Sequence, residues 1–244
     1  MNMHKVSVII TTIPGREKVL QRAIDSVDKQ RYLNIEKIIV KDENLSATQA
    51  RNKGISMATG DFIAFLDDDD EWQPEKLYKQ MTIMHKYPSC ALVTCYSKDE
   101  RYNTINKPPE FVDQEQILNA FNYSSTSTYL CRSYALKVEK GFDETLQSAQ
   151  EYDLAIRLTK FHEARCVPEV LVKQHKTEGQ ISSNWKRKRI GIKQVYHKHK
   201  KEFVEASKKN IIKYRVIYLG YLLAPLLGNR IKKYIINMKK RYEE

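Results

Sequence analysis

Residues 61–72 read DFIAFLDDDDEW. An unbroken apolar run, Phe62 to Leu66, stops against four consecutive carboxylates, Asp67, Asp68, Asp69 and Asp70. A short apolar run bounded by polar residues predicts a strand covered on both faces, as in parallel sheets. Adjacent carboxylates repel, and each is costly to remove from water. The run is therefore either a solvated turn or a place where a cation sits.

The flanking sequence favours the second reading. KVSVIITTI (5–13), IEKIIVKD (35–42) and CALVTCYS (90–97) are further strand-like runs. Between them, REKVLQRAIDSVDKQ (16–30) carries Val19, Leu20, Ala23, Ile24 and Val27 at helical spacing. SATQARNKGISMA (46–58) reads as a helix with Ser46 as its N-cap, and QPEKLYKQMTIMHKY (73–87) as one with Pro74 near its start. Alternating strands and helices predict an α/β fold, a parallel sheet with helices on both faces. Right-handed crossovers would gather ligands at the strands' C-terminal ends. Thr11 and Thr12 end the first strand, Asp42 the second and Asp67 to Asp69 the third, so all should open onto one crevice. After a loop over 98–112 the alternation fails. DQEQILNAFN (113–122) reads as a helix, STSTYLCRSYAL (125–136) as strand then helix, a further helix starts near Gln150, and EVLVKQH (169–175) is a late strand.

The chain has 244 residues, 41% of them hydrophobic, with 15 Tyr and 7 Phe, enough for a sizeable core. Cys90, Cys95, Cys131 and Cys166 form neither a CxxC pair nor a zinc-type cluster and read as free thiols in a reducing compartment. The opening MNMHKVSVII lacks the long apolar stretch of a signal peptide, and no run reaches the roughly 18 apolar residues of a membrane span. The net charge of +12 is unevenly placed: residues 185–244 hold 18 Lys and Arg against 4 Asp and Glu, a net of +14, leaving −2 on the first 184. This divides the chain into a domain over 1–184 and a basic helical extension over 185–244 with an anionic partner of its own. Within the extension, VIYLGYLLAPLL (216–227) is apolar and flanked by Lys and Arg, which suits a helix lying on an anionic membrane surface. The same stripe also suits packing on the first domain or on a second subunit. No nucleic-acid-binding motif accompanies the charge.

The order of motifs (a strand-end Asp, then ARNKG, then a strand into Asp-X-Asp) resembles the inverting GT-A glycosyltransferases of family 2. The likeness covers about residues 5–180 and is strongest over 5–80. It implies a GT-A fold, a mixed sheet flanked by helices. It also implies metal-dependent transfer of a sugar from a nucleotide-diphosphate donor, a UDP-sugar, to an acceptor hydroxyl with inversion. On that resemblance Asp42 contacts the nucleobase, and Arg51 the base or phosphate. Thr11 and Asp68 line the nucleotide-sugar site and Asp67 is the ribose-side residue. Asp69 ligates Mn²⁺ or Mg²⁺, and His175, in VKQHKTEGQIS (172–182), approaches the metal or diphosphate. GFDETLQSAQEYDLAIRL (141–158) resembles the segment with the catalytic base, which places that role on Glu151. Two departures stand out: Lys41 replaces the first Asp of the family's Asp-Asp-Gly-Ser, and Gln150-Glu151 replaces its usual Glu-Asp. The setting implied is cytoplasmic or peripheral on the inner membrane face, with a glycan or lipid-linked acceptor and a role in surface polysaccharide or glycolipid assembly.

Plainer readings remain at single positions. Glu151 and Asp153 also suit the first turn of a helix, where the dipole favours acids. Arg51 suits a surface helix, His175 an ordinary loop, and Trp72 either packing or an acceptor wall. Nucleotidyl transfer also uses clustered aspartates, but TTIPGREK (11–18) has one Gly and no phosphate-cradling loop. A homologue that binds nucleotide-sugar without turnover is the third reading.

Overall fold

The computed structural model describes residues 4–120, 124–175 and 185–206. Its centre is one sheet of β1 (Val6–Thr12), β2 (Ile35–Lys41), β3 (Phe62–Asp67), β4 (Asp70–Trp72), β5 (Cys90–Asp99), β6 (Thr104–Asn106), β7 (Phe111–Val112), β8 (Leu130–Arg132) and β9 (Glu163–Gln174). The order is β2-β1-β3-β8-β5-β9-β4, with β6 on β5 and β7 on β9. The pairs β1–β2, β1–β3 and β5–β9 are parallel. The pairs β3–β8, β8–β5 and β9–β4 are antiparallel, so the sheet is mixed rather than parallel throughout. The reversal has a local cause. The chain reaches β8 through a 3-10 turn, Thr126–Thr128, whose Ser127 Oγ accepts the amide of Asp67 at the far end of β3. It therefore enters β8 from that end and runs down, Leu130 against Ala64 and Arg132 against Phe62.

Helices cover both faces. On one side, α1 (Glu17–Asp28) and α3 (Lys76–Lys86) pack on Val8, Ile10, Leu66 and Val93. On the other lie α2 (Ala47–Met57), α4 (Gln114–Ala120), α5 (Ser133–Val138) and α6 (Gln150–Thr159), over Ile9, Ile38, Phe65 and Leu92. Ser46 caps α2 as its sequence predicts: its Oγ accepts the Gln49 amide at 3.2 Å while Gln49 Oε1 accepts the Ser46 amide at 2.9 Å. Gly54 lets α2 press onto β1, because any Cβ there would overlap the Ile9 side chain. The helix that carries Arg51 is thus fixed at both ends.

The basic extension begins with α7 (Trp185–Lys198) and α8 (Lys200–Ala206), and these pack on the α2–α6 face. Val195 and Phe203 are buried in its core. Asp153 of α6, fully buried, accepts from Arg157 Nε at 2.9 Å, Lys198 Nζ at 2.8 Å and His199 Nε2 at 2.8 Å. These donors hold its carboxyl at about 2 against the cost of burial. Asp153 is therefore a tie between the extension and the sheet domain. Among the described residues no helix is long and apolar enough to cross a membrane. The 216–227 stretch, on which the membrane reading rests, lies outside the described residues.

Phe203→Ala should lower stability in urea by about 3–5 kcal/mol while leaving one cooperative transition, the cost of an emptied core site. An unchanged midpoint would show that α8 contributes nothing to the core.

Candidate functional site

The tips of β2, β1 and β3 lie side by side, Thr11 pairing with Val40 on one side and Asp67 on the other. The Asp42 amide donates to Thr12 O at 3.2 Å, and Thr12 Oγ1 donates to Asp68 Oδ2 at 2.6 Å. Acids from two strands therefore flank one β1 tip. Asp42 Oδ1 also accepts the Asn44 amide at 3.0 Å, and Lys53 Nζ lies 3.4 Å from Oδ2.

The four aspartates part company. Asp67 faces Arg51, whose Nη2 lies 2.5 Å from Oδ1. Asp68, buried, takes a two-pronged grip from Arg16, Nε to Oδ2 and Nη2 to Oδ1, both at 2.8 Å. Asp69 Oδ2 lies 3.4 Å from the same guanidinium, while its carbonyl accepts from Arg22 Nη2 at 3.0 Å. Asp70 turns inward as the first residue of β4, and burial together with the charges of Asp67 and Asp69 raises its carboxyl well above the usual range. Hydrogen bonds from Ser127 and Gln174 oppose that rise.

The Ser127 turn is itself braced. Trp72 Nε1 donates to Ser127 O at 2.8 Å, and Gln80 Nε2 to Thr128 O at 2.8 Å and Val93 O at 2.9 Å. Lys76, fully buried, donates to Gln80 Oε1 at 2.9 Å and stacks 3.7 Å from the centre of the Trp72 ring. Burial lowers its ammonium to about 8. Trp72 is therefore packing under the acidic loop rather than a wall of the crevice.

Glu151 opens α6 behind Ala149, which has a left-handed φ of 61°. Burial raises its carboxyl above the ordinary value, the charge of Asp67 adds to the rise, and Arg51 and Lys188 oppose it. Arg51 thus pairs with Asp67 and feels the charge of Glu151. Its Nε is buried and has no hydrogen-bond partner among the described residues.

A family model, "Glycosyl transferase family 2", matches residues 37–144, from β2 through the acidic loop and β8 to the turn before α6. Over those residues the chain is similar to glycosyl transferase family 2. WcaA of Escherichia coli K12, a relative named for colanic acid biosynthesis, is 29% identical over 230 residues, 80% of this chain and 81% of its own. The amylovoran biosynthesis glycosyltransferase AmsB of Erwinia amylovora is 29% identical over 160 residues, and the match spans half of its length. Among solved structures, S. aureus TarS 1–349 with UDP-GlcNAc superposes with a TM-score of 0.63 at 18% identity, over 79% of this chain and 66% of that one. A mannosyltransferase from Pyrobaculum calidifontis with GDP-Man and Mn²⁺ gives 0.64 at 15%, over 82% and 65%. The fold is that of GT-A glycosyltransferases.

Thr11, Asp42, Asp67 and Asp69 lie at the ends of β1, β2 and β3, with Arg51 on Asp67 and Glu151 in electrostatic reach of both Arg51 and Asp67. Asp68 is on the same loop, but both its oxygens are engaged by Thr12 and Arg16. His175 follows Gln174, the partner of Asp70 in β9. Its ring bridges two acids, Nδ1 at 2.8 Å from Glu100 Oε2 and Nε2 at 2.9 Å from Glu71 Oε2. Contact with a metal would require one of these bridges to open. Arg16 and Ser127 were not among the expected residues. A basic residue in the loop after the first strand, aimed at the acids of the third, was the available signal for Arg16; Ser127 left none.

Glu151→Gln should raise the melting temperature at pH 7 but not near pH 4. A folded-state pKa above the unfolded one makes the acid costly once pH passes through it, and the amide removes that cost. Equal melting temperatures at both pH values would contradict the burial of this carboxyl.

Proposed function

We propose that this chain transfers a sugar from a nucleoside diphosphate donor, a UDP-sugar, to an acceptor hydroxyl with inversion at the anomeric carbon. The observation that carries the reading is the grouping of Asp67, Arg51 and Glu151 near the Asp42 strand end, Arg51 paired with Asp67 and in electrostatic reach of Glu151. Asp42 is the nucleobase contact and Asp67 the ribose contact. Arg51 is the cation for a phosphate or ribose oxygen. Thr12, Arg16 and Asp68 hold the loop in place beneath them.

The donor chemistry of the loop fits a hard divalent cation, since Asp67 and Asp69 offer only carboxylate oxygens. Among the described residues no three His, Cys, Asp or Glu side chains converge to cage a metal. That suits Mg²⁺ or Mn²⁺ held by one carboxylate and completed by diphosphate oxygens and water. Asp69, next along the run from the Arg16-bound Asp68, is the residue for this role. A cation so bound would stabilise charge developing on the leaving diphosphate.

Glu151 accepts the proton of the acceptor hydroxyl as its oxygen bonds to the anomeric carbon. The bond from that carbon to the donor phosphate breaks, and the diphosphate leaves with the electron pair. One displacement inverts the centre. The raised carboxyl favours proton uptake at neutral pH. The names of the two bacterial relatives, colanic acid and amylovoran biosynthesis, support a role in polysaccharide assembly.

Glu151→Gln should cut sugar transfer by about 10²–10⁴-fold, with UDP-sugar affinity nearly unchanged in calorimetry. Transfer at the wild-type rate would place the base elsewhere.

A further inference from the structure

Lys76 has no exposed surface, yet it carries an ammonium into the core. Among the described residues no carboxylate is paired with it. Its Nζ rests on the Trp72 ring and donates to Gln80 Oε1, and the thiols of Cys95 on β5 and Cys131 on β8 also face it. A buried charge without an anion is costly, and a methionine would fill the slot without that cost. The two side chains that Lys76 contacts show what the charge does.

Trp72 and Gln80 are the side chains that hold the Thr126–Thr128 turn, Trp72 Nε1 donating to Ser127 O and Gln80 Nε2 to Thr128 O, each at 2.8 Å. A cation on the face of an indole and on the oxygen of an amide draws electron density from both, so their N–H groups become stronger donors. An ammonium has donors only, so Gln80 presents Oε1 to it and Nε2 to the carbonyls of Thr128 and Val93. An apolar side chain does neither. The turn in its turn fixes the acidic run at both ends: the Ser127 hydroxyl accepts the Asp67 amide at 3.1 Å and donates to the Asp70 carboxylate. Asp68 and Asp69 lie between these two anchors.

We propose that Lys76 is a positioning residue for the donor site: its ammonium, acting through Trp72, Gln80 and the Ser127 turn, holds the Asp67–Asp70 run in the shape that binds the nucleoside diphosphate. It touches neither nucleotide nor metal. This rests on the donor reading of the proposed function. Burial lowers the ammonium to about 8 and pushes both facing thiols up, Cys95 to about 12. Lys76 is therefore the first of the three to lose its proton as pH rises, and the brace is complete below that value and weakened above it.

Calorimetry of UDP with Mg²⁺ on the full chain tests this. Lys76→Met should weaken binding at pH 7 by about tenfold or more, and Lys86→Ala, on the exposed end of the same helix, should leave it unchanged. Wild-type affinity should fall between pH 7 and 9, while Lys76→Met stays flat; a lysine that only packs would give both proteins the same profile. A second readout does not depend on UDP. The chain has two tryptophans, so Trp185→Phe leaves the Trp72 indole N–H as a single nuclear magnetic resonance signal. Without nucleotide or metal, that signal should shift over the same pH range, and the Asp67 amide should exchange with solvent faster in Lys76→Met than in wild type at one pH. If UDP does not bind wild type, the donor reading fails, and the indole and amide signals still decide the brace. Wild-type UDP affinity or wild-type Asp67 exchange in Lys76→Met would overturn the proposal. Should that variant not fold, the wild-type pH series decides: indole signal and UDP affinity changing together support the proposal, and a change in one alone, or in neither, overturns it.

Discussion

Four carboxylates in a row at the end of a buried strand cannot all face one another, and the neighbourhood of β3 is organised around keeping them apart. Arg51 takes Asp67, Arg16 and Thr12 take Asp68, and Asp70 folds back into β4 against Ser127 and Gln174. The partners come from five places: α2, the end of β1, the loop after β1, the turn before β8, and β9. The repulsion between adjacent acids therefore links the sheet order to the site. Asp69 Oδ2 lies 3.4 Å from Arg16 Nη2.

The same arrangement accounts for the antiparallel insertion of β8. Asp67 needs its amide satisfied at the strand end, and the Ser127 hydroxyl supplies the acceptor. That requirement brings the 3-10 turn to the crevice, so the chain leaves it running down the sheet. A buried lysine stacked on Trp72 supports the turn from below, an unusual place for an ammonium and one that lowers its pKa to about 8. Core and site are one hydrogen-bonded network here.

Much of this was legible in the sequence, and the limits are physical. The strands and helices of the first hundred residues follow from apolar periodicity, and the Ser46 cap from its Gln49 partner. The convergence of Asp42 with the acidic run follows from strand ends sharing one edge of a sheet. Local pattern carries no information about the three-residue β8, whose direction is set by a tertiary contact, nor about β4, which begins inside the aspartate run. Charge counting located the basic extension, but the split at residue 184 cuts across the core. Val195 and Phe203 sit in the same apolar cluster as Phe65 and Leu154, and a buried Asp153 joins the parts. Those contacts span long sequence separations and leave only a few apolar residues in a lysine-rich stretch as their trace.

The central claim is that the acidic tip of β3 binds a nucleotide through a cation. Calorimetric titration of UDP with and without Mn²⁺, in wild type and in Asp69→Asn, tests it most directly. Wild type should bind UDP more tightly with Mn²⁺ by about tenfold or more, and Asp69→Asn should lose that advantage. Equal affinity with and without the cation in wild type would contradict the account.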